Sequence, residues 1–587
     1  MNNSVLFYLT TLLVYGGVDA MACLGLSQQF GIAGVTNFGF IIFQAAGAYT
    51  AAVLALPPDT ANGHFQTYLG GLQLPFPLPW LGAALVGALL ALPFTFLVGR
   101  RLRGDFAAIG LLVAAVMANL LATDYRPALN GDAGLSLIPS PLGGEFDPQS
   151  AGYQWLYAGA TVALAAGVYW FVRRITESPY GRSLRAMRDN DLVAEAVGKN
   201  LVVLRMGVLV LGGAIAGLSG GVLVGFINLW APSAWTYAET VVLLAAVIIG
   251  GAGNHRGAVF GALLVPLGFE EATRFLPAFG PPGLVPALQW VAIGLLIVVF
   301  LWFRPQGVFP ERRHLIAAGL PGGAPPLVAT PPPAAQSGAV LEAVDIVRNF
   351  AGAPAVAGVS FALPRGRLTG LIGPNGAGKS TLLAVLAGTL PASSGTIRYR
   401  GQDVTAMPSF RRARAGLIRT FQLASEFKRL TVLENLLTAV PDQRGDSLRG
   451  AVRGAGYWRQ DEADAITRAM AMLDRFGLRE DADTCAGDLS GGQRRTVEIM
   501  RALMARPSVL LLDEPMAGLH PDLARRLGAE LSALCREGMT ILMVEHELAL
   551  VEEICDLVIV MAEGVVLAEG TMAGLRSQAD VVEAYLG

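Results

Sequence analysis

Long runs of apolar residues follow one another through the first half of the chain, as far as about Phe303. They include residues 81–98, 106–122, 156–172, 207–226, 241–250 and 285–302. A helix that crosses a bilayer needs about 20 mostly apolar residues, so the pattern predicts about nine membrane-spanning helices. Glycine is frequent inside these runs, and small residues let neighbouring helices approach closely in lipid.

The pattern changes beyond residue 340. Short apolar runs such as 509–512 and 540–544 alternate with amphipathic helical stretches, which is typical of a soluble α/β domain. Residues 309–339 are rich in Pro, Ala and Gly, a composition that favours an extended linker. We therefore expect a polytopic α-helical membrane domain at 1–308, a linker at 309–339 and an α/β domain at 340–587.

Arginine is distributed unevenly among the loops of the membrane half. The loops near residues 100–103, 173–188 and 304–313 are rich in arginine, whereas loops 57–79 and 124–152 share one, Arg126. By the positive-inside rule the arginine-rich loops and the C-terminal half face the cytoplasm. The N-terminal MNNSVLFYLT lacks the positive region of a secretory signal, so we expect the first span to be retained in a multi-pass inner-membrane protein.

Composition supports this division and excludes some functions. Charged residues make up 15% of the 587 residues, against about 25% in an average soluble domain. The net charge of −2 offers no basic field for nucleic acid, so a nucleic-acid partner is not expected. The four cysteines form no CxxC pair and predict neither a disulfide framework nor a zinc site.

A phosphate-binding motif, GPNGAGKST, lies between a predicted strand and a predicted helix at residues 373–381. Glycines there let successive backbone N–H groups turn toward phosphate oxygens, and the helix N-terminus adds partial positive charge. Lys379, one of three lysines in the chain, would reach the β- and γ-phosphates, and the Ser380 hydroxyl would ligate Mg²⁺. The predicted loop contacts to ATP are Gly373, Asn375, Gly376, Gly378, Lys379, Ser380 and Thr381.

Four further stretches narrow the assignment: LSGGQRR at 489–495, VLLLDEP at 509–515, RTFQ at 419–422 and VEHE at 544–547. With them, residues 340–587 resemble the ATP-binding cassette family, a P-loop NTPase fold with a helical subdomain. The resemblance implies that Phe350 stacks on adenine and that Ser490, Gly491, Gly492 and Gln493 bind nucleotide held by an opposite cassette. It also implies that Asp513 and Gln422 hold Mg²⁺, with Gln422 also sensing the attacking water. Glu514 would polarise this water, and His546 would contact the γ-phosphate.

The resemblance has two further implications. Since a second cassette completes each ATP site, hydrolysis should require two paired cassettes. His520 stands where relatives commonly carry Asn or Asp in the loop that connects the paired sites. This departure concerns the coupling of the two sites and leaves nucleotide binding unaffected.

The membrane half resembles the permease of branched-chain amino acid importers over most of residues 10–308. The glycine-rich blocks at 181–223 and 241–264 carry the resemblance best. The cassette, with FQLASEFKRLTVLENLLTAV at 421–440 and VVEAYLG at the end, resembles the first of the two ATPase types of the same importers. The chain therefore looks like a natural fusion of one permease with one ATPase.

A charged insert, SPYGRSLRAMRDNDLVAEAVG at 178–198, interrupts the apolar runs of the permease half. Its composition suits either an ordinary cytoplasmic loop or a short polar helix that docks on the cassette. The family resemblance favours the second interpretation, in which the insert is the mechanical contact between the cassette and the solute gate.

Three functions compete. The first is half of an importer in which a periplasmic binding protein delivers a hydrophobic amino acid and a second permease–ATPase half, or a second copy, completes the assembly. Related permeases also carry urea, short amides and other small solutes, so the substrate stays open. The second function is an exporter half. Exporters usually have six long spans that extend far into the cytoplasm, whereas this sequence predicts more, shorter spans and one dominant charged insert. The third, a regulatory or nucleic-acid-associated cassette, is disfavoured by the hydrophobic spans.

Overall fold

The computed structural model describes residues 3–58, 65–100, 104–269, 271–272, 284–311, 338–350, 352–421 and 426–586. The chain forms two compact units. The first unit comprises Met1–Arg188, Leu201–Arg312 and Ser447–Gly454, and the second comprises Asp189–Asn200, Arg313–Asp446 and Ala455–Gly587. The first unit contains most of the described residues before the linker and the second contains most of those after it, except that each unit contains one segment from the other half of the sequence. The predicted domain boundaries at 308 and 340 stay predictions.

Helices dominate the described part of the chain before the linker. They are α1 (Asn3–Ser27), α2 (Ile41–Ala55), α3 (Leu78–Arg100), α4 (Gly104–Asp124), α5 (Arg126–Leu129), α6 (Ala151–Thr176), α7 (Pro179–Asp189), α8 (Asp191–Ala196), α9 (Leu201–Ile227), α10 (Tyr237–Gly250), α11 (His255–Ala262) and α12 (Leu284–Phe303). Two π-helical turns, Gln28–Ile32 and Leu263–Phe269, extend α1 and α11.

Among the described residues, six helical segments are long and apolar enough to cross a membrane. They are Phe7–Ile32, Leu78–Phe96, Asp105–Asp124, Ala151–Thr176, Leu201–Ile227 and Pro232–Gly250. Three shorter apolar helices, Ile41–Ala55, His255–Phe269 and Ala287–Phe303, accompany them. The six long helices confirm a polytopic helical domain, whereas the total of about nine crossings stays a prediction that depends on the three shorter helices.

Glycines bring α9 against α2 and α3 almost backbone to backbone. A Cβ atom built on Gly217 of α9 would lie 2.3 Å from the carbonyl oxygen of Ala83 on α3. One built on Gly47 of α2 would lie 2.2 Å from the carbonyl oxygen of Gly217. Real Cβ contacts are not that short, so only glycine permits this packing. The glycines of the apolar runs therefore position the helices, as the sequence predicted for packing in lipid.

Two sheets organise the second unit. The strands are β1 (Ala339–Phe350), β2 (Ala353–Pro364), β3 (Leu368–Ile372), β4 (Ser394–Tyr399), β5 (Gln402–Asp403), β6 (Leu417–Arg419), β7 (Val509–Asp513), β8 (Thr540–Val544), β9 (Leu557–Ala562) and β10 (Val565–Gly570). The four-stranded antiparallel sheet has the order β2-β1-β4-β5, and the six-stranded sheet has the order β10-β9-β3-β8-β7-β6. In the larger sheet β9, β3, β8, β7 and β6 run parallel and β10 is antiparallel to β9.

The register of the larger sheet positions the chemistry. Leu371 of β3 and Asp513 of β7 both pair with Val544 of β8, so the three strands end level with one another. These strands are fully buried and consist largely of aliphatic residues, as expected for a parallel sheet covered on both faces. The three segments that follow them, which begin near Gly373, Glu514 and Glu545, therefore emerge at one edge.

The remaining helices after the linker belong to the second unit, apart from α16. They are α13 (Lys379–Ala387), α14 (Ser409–Arg414), α15 (Val432–Thr438), α16 (Leu448–Arg453), α17 (Ala455–Arg475), α18 (Gly491–Met504), α19 (Pro521–Arg536), α20 (Leu548–Ile554), α21 (Met572–Leu575) and α22 (Ala579–Leu586). One apolar cluster joins α15, α17 and α18 with β7 and β8, which agrees with the predicted helical subdomain.

Arg412 on α14 shows how a buried cation is accommodated in the second unit. It is 2% exposed, and its guanidinium donates to the carbonyl oxygens of Val385, Leu386, Thr405 and Met407. Two of these carbonyls belong to the last turn of α13, where helix carbonyls lack partners within the helix. Burial lowers the pKa of Arg412 to about 10, which still leaves it charged at neutral pH.

The charged insert is divided between the two units. Helix α7 belongs to the first unit, whereas Asp189–Asn200, which contains α8, belongs to the second. Within the second unit the Asp189 carboxylate accepts from the Arg429 N–H at 2.9 Å, and the Gly198 carbonyl accepts from Arg414 Nε at 2.8 Å. Lys199 forms an ion pair with Asp446. The second half of the insert is therefore held by specific polar contacts with cassette residues.

The opposite exchange occurs at Ser447–Gly454, which contains α16 and belongs to the first unit. Ala451 lies in the apolar cluster of that unit, with Leu448 packed against it. The carbonyl of Arg453 accepts from Arg174 Nη2 at 3.4 Å. The sequence pattern did not predict that this segment would belong to the first unit.

Candidate functional site

The phosphate loop begins directly after β3, as predicted. Gly373 and Gly378 adopt left-handed conformations, with φ of 151° and 92°. A Cβ atom on Gly373 would lie 2.0 Å from the Met561 carbonyl oxygen, and one on Gly378 would lie 2.2 Å from that of Ala355. Both positions therefore require glycine. Asn375 and Gly376 are exposed at the tip of the loop, and helix α13 starts at Lys379.

Lys379 points back across this loop. Its Nζ donates to the carbonyl oxygens of Gly373 and Pro374, each at 2.8 Å, and the side chain is buried. Burial lowers the pKa of Lys379, while the nearby charges of Glu514 and Asp513 oppose this effect. The ammonium group is thus held above the first helical turn, which also carries Ser380 and Thr381, as phosphate binding requires.

Asp513, at the end of β7, is completely buried and lies beside the phosphate loop. One carboxylate oxygen accepts from Ser380 Oγ at 3.1 Å, and the other accepts from Arg419 Nη2 at 3.0 Å. A hydroxyl and a carboxylate at this separation are hard oxygen donors that fit Mg²⁺. The described residues contain no cluster of three His, Cys, Asp or Glu suited to a metal. Mg²⁺ is usually bound by one or two carboxylates together with substrate phosphates, so Ser380 and Asp513 would hold it jointly with ATP.

Glu514 and His546 meet at the same edge of the sheet. His546 Nε2 and Glu514 Oε1 are 2.5 Å apart, and the Glu514 side chain is 15% exposed. Glu545 supports both loops, since its carboxylate accepts from the N–H groups of Met516 at 2.9 Å and His546 at 3.3 Å. Burial raises the pKa of Glu545, an effect that these two hydrogen bonds oppose.

The LSGGQ residues lie at the N-terminus of α18. Ser490 caps the helix, and its backbone N–H and hydroxyl both donate to Gln493 Oε1, at 3.1 and 2.9 Å. Gln493 Nε2 donates to Asp481 at 3.0 Å. Ser490 and Gly491 are exposed, and a Cβ atom on Gly491 would meet nothing within 4 Å. The described hydrogen bonds do not join this turn to Lys379.

The two remaining predicted contacts, those of Phe350 and Gln422, both stay predictions. Phe350, at the end of β1, is 44% exposed, and Arg348 lies over its ring at 4.8 Å. One face of the ring is therefore engaged by a cation, and the role in adenine stacking stays a prediction. Gln422 lies outside the described residues, so its predicted roles toward Mg²⁺ and water stay predictions as well.

The sequence motifs did not reveal two residues of the site, Arg419 and Glu545. Arg419 was part of the RTFQ motif, yet no role followed from it until its contact with Asp513 was known. His520 caps α19, with its Nδ1 accepting from the Asp522 N–H at 3.4 Å. Asn and Asp are preferred at this position, and the imidazole performs the same local function.

Comparison with known families identifies both halves of the chain. Residues 8–301, about half of the chain, match the model of the branched-chain amino acid transport system permease component, and residues 356–517 match the ABC transporter model. A crystal structure of a nucleotide-free ATP-binding cassette from an ABC transporter is also similar, with 35% identity and a TM-score of 0.38. That match covers 42% of this chain and 99% of that chain.

Curated relatives of the cassette half are transport ATP-binding proteins. BraF, a high-affinity branched-chain amino acid transport ATP-binding protein of Pseudomonas aeruginosa, is 37% identical over 249 residues, 42% of this chain and 98% of that protein. LivG of Escherichia coli K12 is 38% identical over 243 residues, 41% of this chain and 95% of that protein. The chain is thus a multi-pass inner-membrane protein with a cytoplasmic ATPase domain that hydrolyses ATP for transport. It belongs to the branched-chain amino acid transport family of ABC importers and unites a permease and an ATP-binding component in one polypeptide.

Proposed function

We propose that this chain is one half of an importer that moves branched-chain or other hydrophobic amino acids into the cell. A periplasmic binding protein delivers the solute, and a second permease–ATPase half, either a homologous subunit or another copy, completes the assembly. One observation carries the proposal: a permease of this family and a cassette with its phosphate loop, Asp513, Glu514 and His546 at one sheet edge share one chain.

The chemistry follows from the positions of the side chains. The phosphate loop and Lys379 would bind the β- and γ-phosphates, and Ser380 and Asp513 would hold Mg²⁺. When bound, Mg²⁺ would neutralise charge on the phosphate oxygens. Glu514 would orient and polarise the water, and His546, 2.5 Å from Glu514 Oε1, would hold that carboxylate in place and contact the γ-phosphate.

Pairing of two cassettes is part of the proposal. Ser490 and Gly491 are exposed at the start of α18 and share no described hydrogen bond with Lys379 of the same chain. An exposed helix N-terminus with free space at Gly491 is suited to an anion supplied from outside. The γ-phosphate held by the second cassette would fill this position.

The charged insert would transmit ATP-driven closure to the permease. Support comes from the second unit, where Asp189, Gly198 and Lys199 contact Arg429, Arg414 and Asp446. In the sequence, Arg429 follows Gln422, the residue expected to sense Mg²⁺ and water, by seven positions. This segment of the insert ends at Asn200 and is followed directly by α9, the glycine-rich helix that packs on α2 and α3.

A solute with an apolar side chain is consistent with one cavity of the first unit. It measures about 160 Å³ and lies between α2, α3, α9 and the segment near residue 140. Phe76, Trp80 and Ile138 are among its lining residues, Gln73 and Ser140 provide polar groups, and none of the lining residues is charged. Small-molecule sites commonly combine apolar walls with a few polar groups.

Uptake by proteoliposomes tests the proposal. The chain would be reconstituted with its partner half so that the cassettes face a lumen loaded with ATP, with binding protein and labelled leucine outside. We expect leucine to accumulate only with ATP and binding protein present, and excess urea or acetamide not to compete. Competition by the amides would assign the alternative small-solute substrate. Uptake without binding protein would contradict the role given to that protein, and ATP-driven loss of preloaded leucine would contradict the importer.

A further inference from the structure

The backbone at Glu514 has a conformation that its neighbours must maintain. Its φ is 50°, in the left-handed region, which residues other than glycine adopt rarely. The strand β7 ends one residue earlier, so the chain turns sharply at the carboxylate that faces His546. A strained backbone at a functional residue persists only where the surrounding structure holds it.

Arg495, on the signature helix α18, provides contacts that hold this turn. The side chain is 4% exposed, and all five N–H donors of its guanidinium have acceptors. Nη2 donates to the carbonyl oxygens of Asp513 and Glu514, the latter at 2.9 Å, and Nε donates to that of Pro515 at 3.4 Å. One planar group thus binds three consecutive carbonyls around the strained residue.

The remaining donors of Arg495 connect this turn to the start of the Gln422 segment. Nη1 donates to the Phe421 carbonyl oxygen and to Glu498 Oε2. Glu498 is 1% exposed, and its other oxygen accepts from the Phe421 N–H at 2.7 Å. The Arg495–Glu498 pair therefore binds both polar backbone groups of Phe421, immediately before Gln422.

Because the pair lies on α18, its contacts link the start of that helix to Glu514. Ser490 caps the same helix, and Arg495 and Glu498 lie one and two turns further along. A helix moves as a rigid element over this length, so a displacement of its N-terminus also moves the guanidinium that holds Glu514. Neither residue has an atom within hydrogen-bonding distance of Lys379, Ser380 or His546 among the described contacts.

We propose that Arg495 and Glu498 are positioning residues for ATP hydrolysis. They hold the strained Glu514 turn and the entry to the Gln422 segment in one geometry and tie both to the signature helix. The inference rests on the proposed role of Glu514. Because the pair orients Glu514 through backbone carbonyls and makes no described hydrogen bond to Lys379 or Ser380, it affects the rate of hydrolysis and leaves ATP affinity nearly unchanged.

The test uses the full chain reconstituted with its partner half. For Arg495→Met and Arg495→Lys we expect kcat to fall at least tenfold, while KM and the Kd for a fluorescent ATP analogue stay within twofold. Lysine should not rescue, since it keeps the charge but lacks the planar five-donor fork. The matched control is Arg475→Met, which removes an arginine paired with Glu530 on the surface of the same unit and should keep native kcat.

Other outcomes are equally informative. Native kcat in Arg495→Met, or full rescue by lysine, would overturn the inference. Should Arg495→Met not fold, the pair Glu498→Gln and Glu498→Ala decides. Glutamine can still accept from the Phe421 N–H but presents its amide N–H₂ to the donor Arg495 Nη1, whereas alanine loses both contacts. Both variants should therefore lose at least fivefold in kcat, and native kcat in either would contradict the proposal. Glu514→Gln is measured in parallel: native hydrolysis there would refute the role of Glu514, whereas inactive Glu514→Gln beside native Arg495→Met refutes this inference alone.

Discussion

Replacing Glu514 with glutamine is expected to lower the rate of ATP hydrolysis by about 100-fold or more, the range typical of loss of a general base. Glutamine keeps the size and one acceptor oxygen, so the backbone turn and the contact with His546 can persist. It cannot accept a proton from water, and this loss acts on the chemical step. The measurement is steady-state phosphate release by the reconstituted chain, together with the Kd for a fluorescent ATP analogue, which should change less than twofold.

Glu547→Gln is the matched control, because this exposed glutamate lies three residues beyond the end of β8 and makes no side-chain cap to α20. Its hydrolysis rate should equal that of the native chain. A Glu514→Gln chain that hydrolyses ATP at the native rate would show that Glu514 does not act as the general base.

The second large effect is expected in the permease half, at Gly217. Alanine there would place a Cβ 2.3 Å from the Ala83 carbonyl oxygen and 3.2 Å from the Cα of Gly87, both on the backbone of α3. Backbone cannot move aside as a side chain can, so α3 and α9 must separate. Overpacking of this kind costs about 1–3 kcal/mol. We expect a lower midpoint of thermal unfolding for the detergent-solubilised chain and a smaller yield of folded protein.

Gly167→Ala provides the comparison. Gly167 lies on α6, another apolar helix, where an added Cβ would meet nothing within 4 Å. Alanine favours a helix by about 1 kcal/mol over glycine, so this variant should unfold at the native temperature or above it. If Gly217→Ala were as stable as Gly167→Ala, the close approach of α3 and α9 would be wrong.

Local motifs explain why much of the arrangement of the candidate ATP site could be predicted from sequence. The phosphate loop is a contiguous segment whose function depends on its own glycines and on the helix that follows. Asp513 and Glu514 end an apolar strand, and His546 follows another, so the parallel arrangement of β3, β7 and β8 brings them together. A sequence pattern of this kind specifies both the side chains and their place at the edge of the sheet.

Contacts between distant segments could not be predicted in this way. Arg419 reaches Asp513 across 94 positions of sequence, and Arg495 reaches Phe421 across 74. The chain has many arginines, and their spacing does not say which one turns inward. The capping box of Ser490 and Gln493 is local, by contrast, and belongs to a motif that the sequence already displayed.

The charged insert illustrates both cases. Its position between apolar runs predicted a segment that leaves the membrane half, and Asp189–Asn200 does lie in the second unit. Its composition did not reveal that α7 would stay in the first unit, where Arg188 pairs with Glu311 at 2.9 Å. Charge alone does not distinguish an arginine that docks on a partner from one that packs within its own domain.

The central claim is that ATP held by the cytoplasmic cassette drives solute movement through the permease of the same chain. The most direct test is uptake of labelled leucine by proteoliposomes in which every cassette carries both Lys379→Ala and Glu514→Gln, with ATP enclosed and binding protein outside. The account predicts that these vesicles only equilibrate leucine or exclude it, while native vesicles concentrate it severalfold. Concentration of leucine at the native rate by the doubly substituted chain would contradict the account.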